Sequence, residues 1–491
     1  MGCGISKKIQ TQKSQSRHHS KIKSTPDDFI IRNRKKFTEV YQVGKNLGSG
    51  SYGEVKLVVH KVTGQERAAK IFRKSTDQND VYIKTKNEIE VLKKLNHPNI
   101  IKMFEYFEDD NRLCIVLEKC DGGELFYEIL NKGNLSEKVS AIICKQLFSC
   151  IMYLHENNLV HRDLKPENIL LEDKGDLMNI KLIDFGTAIE FGPKHKLTEM
   201  IGSSYYIAPE TIEGVYDEKC DLWSLGVILY ILLCGLPPFT GKNQKMIMQK
   251  ICVGKYSLEG PIWDNVSSEG KDLVKKLLCP VSARLTAKEA LLHPWIKAKG
   301  AFPNPDASVL AAAIENLKNF NSINQFRDAI STFITSQIIS IHETKDLRNI
   351  FKSIDINGDG QLSKEELIKG FNVYHELVDR DEYIEKIIDQ VDTDGNGYID
   401  YNEFIKATIS QKKIYSKENM RKAFDMFDLD GSGTISSVEL QKIFSLGDIN
   451  DSLWNELVTQ ADKNFDGEID FEEFTQFITS LSETQDIYMT N

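Results

Sequence analysis

The chain has 491 residues, more than a single hydrophobic core usually organises, so length alone predicts roughly three domains of about 150 residues each. Hydrophobic residues at 41% and charged residues at 27% match an ordinary soluble globular protein and exclude a wholly disordered or fibrous chain. A net charge of -10 argues against general nucleic-acid binding, which needs a concentrated basic face, and the nine cysteines lack the spacing of a disulfide framework or a zinc site.

Residues 1–40 read as a basic segment with no secretory apolar core. Met1-Gly2-Cys3-Gly4-Ile5-Ser6 fits the N-myristoylation pattern, with Gly2 as acyl acceptor, and Cys3 is placed to take a palmitate. Lys7, Lys8, Lys13, Arg17, Lys21 and Lys23 follow. One acyl chain holds a membrane only marginally, so a second chain or a basic run attracted to anionic lipid is needed, and both are available. The expectation is a cytoplasmic protein held peripherally at the inner face of a membrane.

From Gln42 to about Leu117 the residues alternate as strands do, with turn signals at Lys61–Gln65 and a helix-like run from Glu88 to Leu95, which predicts a small β-rich lobe. Within it, Gly48-Ser49-Gly50-Ser51-Tyr52-Gly53-Glu54-Val55 offers a turn whose backbone amides can approach phosphate oxygens without Cβ interference. Alone that pattern is weak, because it also occurs in plain turns. Ala68-Ala69-Lys70 on the next strand and Glu88 on the helix-like run strengthen it, since a Lys–Glu pair there grips α- and β-phosphates.

From Glu124 to Pro294 the pattern turns helical. His161-Arg162-Asp163-Leu164-Lys165-Pro166-Glu167-Asn168 supplies Asp163 to accept a substrate hydroxyl proton and Asn168 to ligate magnesium. Asp184-Phe185-Gly186 adds a carboxylate for the same hard cation, and Ala208-Pro209-Glu210 closes the segment. The order and spacing of these triplets, more than any one of them, carry the phosphoryl-transfer reading. The most apolar stretch, Leu222–Leu236, is shorter than the ~20 residues of a membrane span and is expected to be a buried helix.

Residues 297–345 form a junction: Pro303 and Pro305 break the chain, and Ser308–Ile341 then carries apolar residues at helical spacing. Beyond it, acidic loops begin at Asp355, Asp392, Asp428 and Asp462, roughly 35 residues apart. Each supplies oxygens at the alternating positions of a 12-residue calcium loop, with a bidentate Glu last. The predicted ligands are Asp355, Asn357, Asp359, Gln361 and Glu366; Asp392, Asp394, Asn396, Tyr398 and Glu403; Asp428, Asp430, Ser432, Thr434 and Glu439; and Asp462, Asn464, Asp466, Glu468 and Glu473. Leu362, Ile399, Ile435 and Ile469 stand at the eighth position, where they can pair the loops through a short β-bridge.

With these motifs in order, the chain resembles the protein kinases over about Tyr41–Trp295 and, with its appended EF-hands, the calcium-dependent protein kinase family of plants and protists. The resemblance implies a multidomain α+β protein: a bilobal kinase fold over 41–296, the junction over 297–345, and an all-α calmodulin-like domain with four EF-hands over 346–485. It implies that Leu47, the turn Gly48–Gly53 with Val55, Ala68, Lys70, Glu118, Cys120 and Glu124 bind ATP, with Leu117 as gatekeeper. It also implies that Lys165 contacts the γ-phosphate as in serine/threonine kinases, and that Asp221 and Arg284 are structural supports. ATP, magnesium and up to four calcium ions are the implied cofactors, and protein serine or threonine near basic residues the implied substrate. Arg162 could receive a phosphate carried by Thr198, Ser203 or Ser204, with Glu199 as the alternative source of charge. Lys318 and Arg327 are few and Asp328 intervenes, so helix docking rather than a pseudosubstrate is the expected mode of autoinhibition by the junction. A calcium-responsive scaffold with an inactive kinase fold is the rival reading, and Lys70, Asp163, Asn168 and Asp184 remove its usual basis.

Overall fold

The computed structural model describes residues 29–30, 32–50, 53–74, 79–192, 196–320, 325–372, 380–444 and 458–483. Gly2, Cys3, Ser51 and Tyr52, all named above, lie outside the described residues.

A six-stranded sheet forms the small lobe, in the spatial order Arg32–Asn33, Met103–Glu108, Arg112–Leu117, Glu66–Arg73, Gly53–His60, Tyr41–Gly50. All neighbours are antiparallel except the first pair, where Arg32 lies beside Tyr106 in parallel register. Alternation along the strands buries Val58, Ala69, Val116 and Phe107 together on one face, as half-buried strands require. The helix Asn79–Leu92 covers the other side with Ile89, Val91 and Leu92. It starts well before Glu88, because Lys84, Lys86 and Asn87 interrupt the apolar pattern and hide its first turns from a periodicity reading.

Leu117 ends the last strand of this lobe, and the connecting segment leads through Gly123–Glu124 to helix Leu125–Lys132. The large lobe is helical around Glu137–Glu156 and Cys220–Cys234. Every residue of Cys220–Cys234 is buried, so that helix is apolar all round, and Gly235 ends it in the left-handed conformation. Among the described residues no helix is long and apolar enough to cross a membrane.

The junction is two helices rather than one amphipathic run. Ala307–Lys318 is capped by Asp306, and Gln325–Phe333 continues into a π-helical turn, Ile334–Ile338. Leu310, Ile314, Leu317, Phe326, Ile330 and Phe333 share one core with Phe351, Phe404, Phe427 and Phe474 of the EF-hand region. The Phe333 and Phe427 rings lie 4.6 Å apart. The loops pair as their eighth residues imply, Leu362 opposite Ile399 and Ile435 opposite Ile469.

The EF-hand region docks on the kinase lobes through polar side chains. Lys352 Nζ donates to Gln146 Oε1 and Asn179 Oδ1, both at 3.0 Å, Arg348 pairs with Glu172, and Asn96 Nδ2 donates to Asp400 Oδ2 at 3.0 Å. Three consecutive carbonyls at the end of the π-helical turn accept from the small lobe: Ser336 from Lys102 at 2.6 Å, Gln337 from Arg67 at 2.7 Å, and Ile338 from Gln65. These are the orphan acceptors of a helix C-terminus, met here by two cations and an amide.

Candidate active site and calcium sites

The strands Tyr41–Gly50 and Gly53–His60 close a hairpin whose last pair is Gly50 opposite Gly53. Gly53 has φ +141°, and a Cβ there would lie 2.3 Å from the Ile71 carbonyl oxygen, so only glycine fits. Register then sets the cleft floor: Val55 lies opposite Lys70, and Ala68 opposite Leu117.

Lys70 Nζ donates to Glu88 Oε1 at 2.9 Å and Oε2 at 2.6 Å, and lies 3.7 Å from Asp184 Oδ1. Burial pushes the Glu88 carboxyl up, Lys70 opposes that shift, and the neighbouring Asp184 charge adds to it. Asn87, on the same helix, donates to the Ala188 carbonyl at 2.7 Å, which ties the helix to the segment carrying Asp184. Asp184 itself has φ +66°, an uncommon conformation that its short side chain tolerates.

Asp163 is held from three sides. Its Oδ2 accepts from Lys165 Nζ at 2.6 Å, and its Oδ1 accepts from Ser203 N at 3.1 Å and Ser203 Oγ at 2.8 Å. Burial works to raise its carboxyl, but these hydrogen bonds and the Lys165 charge outweigh burial and hold it below the usual carboxylate range. Asn168 Nδ2 donates to the Asp163 carbonyl at 2.8 Å. Beneath, Asp221 accepts from the backbone N–H of His161 and Arg162, each at 2.9 Å, which fixes the loop and its Arg162 at φ +70°. Arg284 pairs with Glu210 and donates to the Lys219 carbonyl at 2.8 Å.

Arg162 donates to the Thr187 carbonyl at 2.7 Å and to Glu199 Oε2 at 3.1 Å. Ser203 engages Asp163 and Lys165 rather than Arg162. Its contact with Asp163 escaped the motif reading, which took it, with Thr198 and Ser204, as a hydroxyl that could carry a phosphate for Arg162; its set spacing before Ala208-Pro209-Glu210 was the available signal. Glu118 is buried where the lobes join, Cys120 lies next to it, and Glu124 begins the following helix. Burial and the neighbouring Glu167 raise the Glu124 carboxyl.

The groups brought together fit their implied ions. Asp184 and Asn168 offer the oxygen donors that magnesium requires. Carboxylate oxygens of Asp392, Asp394 and Glu403 lie within 4.8 Å of one another, as do those of Asp428, Asp430 and Glu439. In all four loops the first Asp accepts from the N–H of the sixth-position glycine, at 3.1 Å in the first loop and 2.8 Å in the other three. The last Glu likewise folds back over its loop, with Oε1 accepting from Asn357 N, Thr393 N, Asp430 N and Asn464 N in turn.

The protein kinase domain family matches residues 41–296, and the EF-hand domain pair matches residues 344–409 and 417–479. The chain is 43% identical over 497 residues to calcium-dependent protein kinase 4 of Plasmodium falciparum, covering 97% of this chain and 92% of that protein. It is 39% identical over 463 residues to calcium-dependent protein kinase 5 of the same organism, covering 93% and 81%, and 36% identical over 474 residues to calcium-dependent protein kinase 3 of Plasmodium berghei, covering 94% and 84%. A kinase cleft with its Lys70–Glu88 pair formed, followed by four EF-hand loops in the same chain, places this protein in the calcium-dependent protein kinase family of calcium-activated serine/threonine kinases.

Proposed function

We propose that this kinase transfers the ATP γ-phosphate to protein serine or threonine with Asp163 as the base that accepts the hydroxyl proton and Lys165 as the γ-phosphate contact. The observation that carries this is the Asp163 carboxylate, kept ionised and aimed by Lys165 and Ser203. An ionised, oriented carboxylate can receive a proton in the transition state. Lys70, steered by Glu88, grips the nonreacting phosphates; Gly48–Gly53, Leu47, Val55, Ala68, Glu118 and Cys120 enclose the nucleotide; Glu124 sits by the ribose and near basic substrate residues. Magnesium, held by Asn168 and Asp184, would neutralise charge between the phosphates. Because Glu199 already engages Arg162, the segment needs no added phosphate to hold its shape.

The same reading assigns 41–296 to catalysis, 346–485 to calcium sensing and 297–345 to coupling. Without calcium the junction inhibits the kinase, and with calcium its apolar face enters the EF-hand core; the core that junction and EF-hand residues share supports this reading. Calcium occupies the four loops through the twenty residues named above, and acylation of Gly2 and Cys3 holds the protein at a membrane. The test is phosphate transfer to a basic serine/threonine peptide across a calcium titration. Activity that rises with calcium and disappears in Asp163→Ala supports the reading, and calcium-independent activity sinks the gating part. For the membrane part, Gly2→Ala should move the protein from the membrane fraction to the supernatant; an unchanged distribution rejects it.

A further inference from the structure

We propose that Arg348, on the first helix of the EF-hand region, is a positioning residue for the nucleotide: it completes a buried row of alternating charges ending at Glu118, and so makes ATP affinity depend on calcium. The inference rests on the reading that Glu118 and Cys120 face the adenine.

The row runs Arg348, Glu172, Lys181, Glu118. Arg348 Nη1 pairs with Glu172 Oε1, Lys181 Nζ lies 3.7 Å from that same oxygen, and Lys181 Nζ lies 2.9 Å from Glu118 Oε1. All four residues are buried, Arg348 at 1% exposure. Two cations and two carboxylates balance. Without Arg348, Glu172 and Glu118 share Lys181 as their direct partner, and Glu172 loses its buried pair in a low-dielectric site with only the nearby Lys352 left to offset it.

The segment between the lobes hangs on this row at both ends. At one end, Glu118 Oε1 accepts from Lys102 N at 2.8 Å, and the Glu118 N–H donates to the Lys102 carbonyl at 2.9 Å. At the other end, Asp121 N donates to the Glu172 carbonyl at 2.7 Å and Gly122 N to the Leu171 carbonyl at 3.0 Å. Cys120 sits between these fixed points. A cavity of about 80 Å³ beside the row is lined from the kinase by Lys102, Glu118 and Lys181 and from the EF-hand region by Arg348 and Tyr401. A docked Arg348 therefore completes the row of pairs and fixes the backbone that reads adenine. When the EF-hand region leaves, Glu172 and Glu118 compete for Lys181. A docked state that binds nucleotide better must, by linkage, bind calcium better when nucleotide is present.

The test uses the full chain and methylanthraniloyl-ATP as a fluorescent probe, in calcium and in chelator, together with steady-state kinetics. The probe should bind wild type about tenfold tighter in calcium, within the usual range of coupling between sites, and the probe should raise the overall calcium-binding constant, taken over all four loops together, by the same factor. Arg348→Met should lose both effects and raise KM for ATP about tenfold while kcat at saturating ATP stays within about twofold. Arg348→Lys should restore part of the coupling. Glu172→Gln, which leaves the EF-hand region untouched, should weaken probe binding in calcium in the same way. Equal probe affinity in calcium and chelator for wild type, or a fall in kcat with unchanged KM in Arg348→Met, overturns the proposal. If wild type transfers no phosphate yet its probe affinity still follows calcium, the functional reading fails and the coupling stands.

Discussion

Asp163 does not work alone. Lys165 and Ser203 hold its carboxylate from both oxygens, so Asp163→Asn keeps the shape and loses the base, and kcat should fall about 10²–10⁴-fold with little change in melting temperature. Retained kcat would reassign the proton acceptor. Arg284 belongs to a different class, because its guanidinium is fully buried and its partner Glu210 would be left uncompensated. Arg284→Ala should cost about 3–5 kcal/mol in denaturant unfolding, whereas loss of an exposed pair such as Lys94–Glu190 should leave the unfolding midpoint almost unchanged. Glu199 is largely exposed, so its pairing with Arg162 is modest in energy. Phosphatase-treated enzyme should keep its calcium-stimulated activity, and a requirement for prior phosphorylation would show that Glu199 does not suffice.

At the scale of elements, the helix Lys345–Ile354 carries the contacts of Arg348 and Lys352 with the large lobe, and Lys352 is the residue on it whose charge is most sensitive to burial. Burial, helped by the charges of Arg348 and Lys181 and opposed by Glu172, pulls the Lys352 ammonium down to about 7. The released or unfolded lysine keeps its proton up to about pH 10.4, so between about pH 7 and that value the docked state holds fewer protons than the undocked one. Docking should therefore strengthen with rising pH, by up to about 1.4 kcal/mol per pH unit, and remain weak and flat below pH 7. Thermal unfolding in calcium at pH 7 and pH 9 will show this slope, and Lys352→Met should remove it; an equal slope in the variant means another group titrates. Much of the catalytic machinery at this scale was readable from triplets such as Asp184-Phe185-Gly186, because chemistry at one metal tolerates few residue types at few spacings. Arg348 and Lys352 were not readable. Two cations four residues apart on a helix look like a solvated face until the partner surface of Glu172, Gln146 and Asn179 is known.

At the scale of the whole molecule, the junction shows no separate core among the described residues: its apolar residues complete that of the EF-hands. Each calcium site filled at 100 times its Kd adds about 2.7 kcal/mol to the folded, docked arrangement if the unfolded chain binds none. Chelation should thus lower the melting temperature of the EF-hand region and speed protease cleavage within residues 297–345, and identical cleavage with and without calcium would show that the junction does not move. The amino-acid sequence by itself determined the bilobal kinase, the four calcium loops and the family, because phosphate and hard cations demand particular groups at short, regular spacings along the chain. Only the tertiary structure decided where the junction lies, that Ser203 braces Asp163 while Glu199 takes Arg162, and that Arg348 reaches the segment between the lobes. Those contacts join residues far apart in the chain. Their energies depend on burial and on a partner's charge, and neither is a property of any local stretch of sequence.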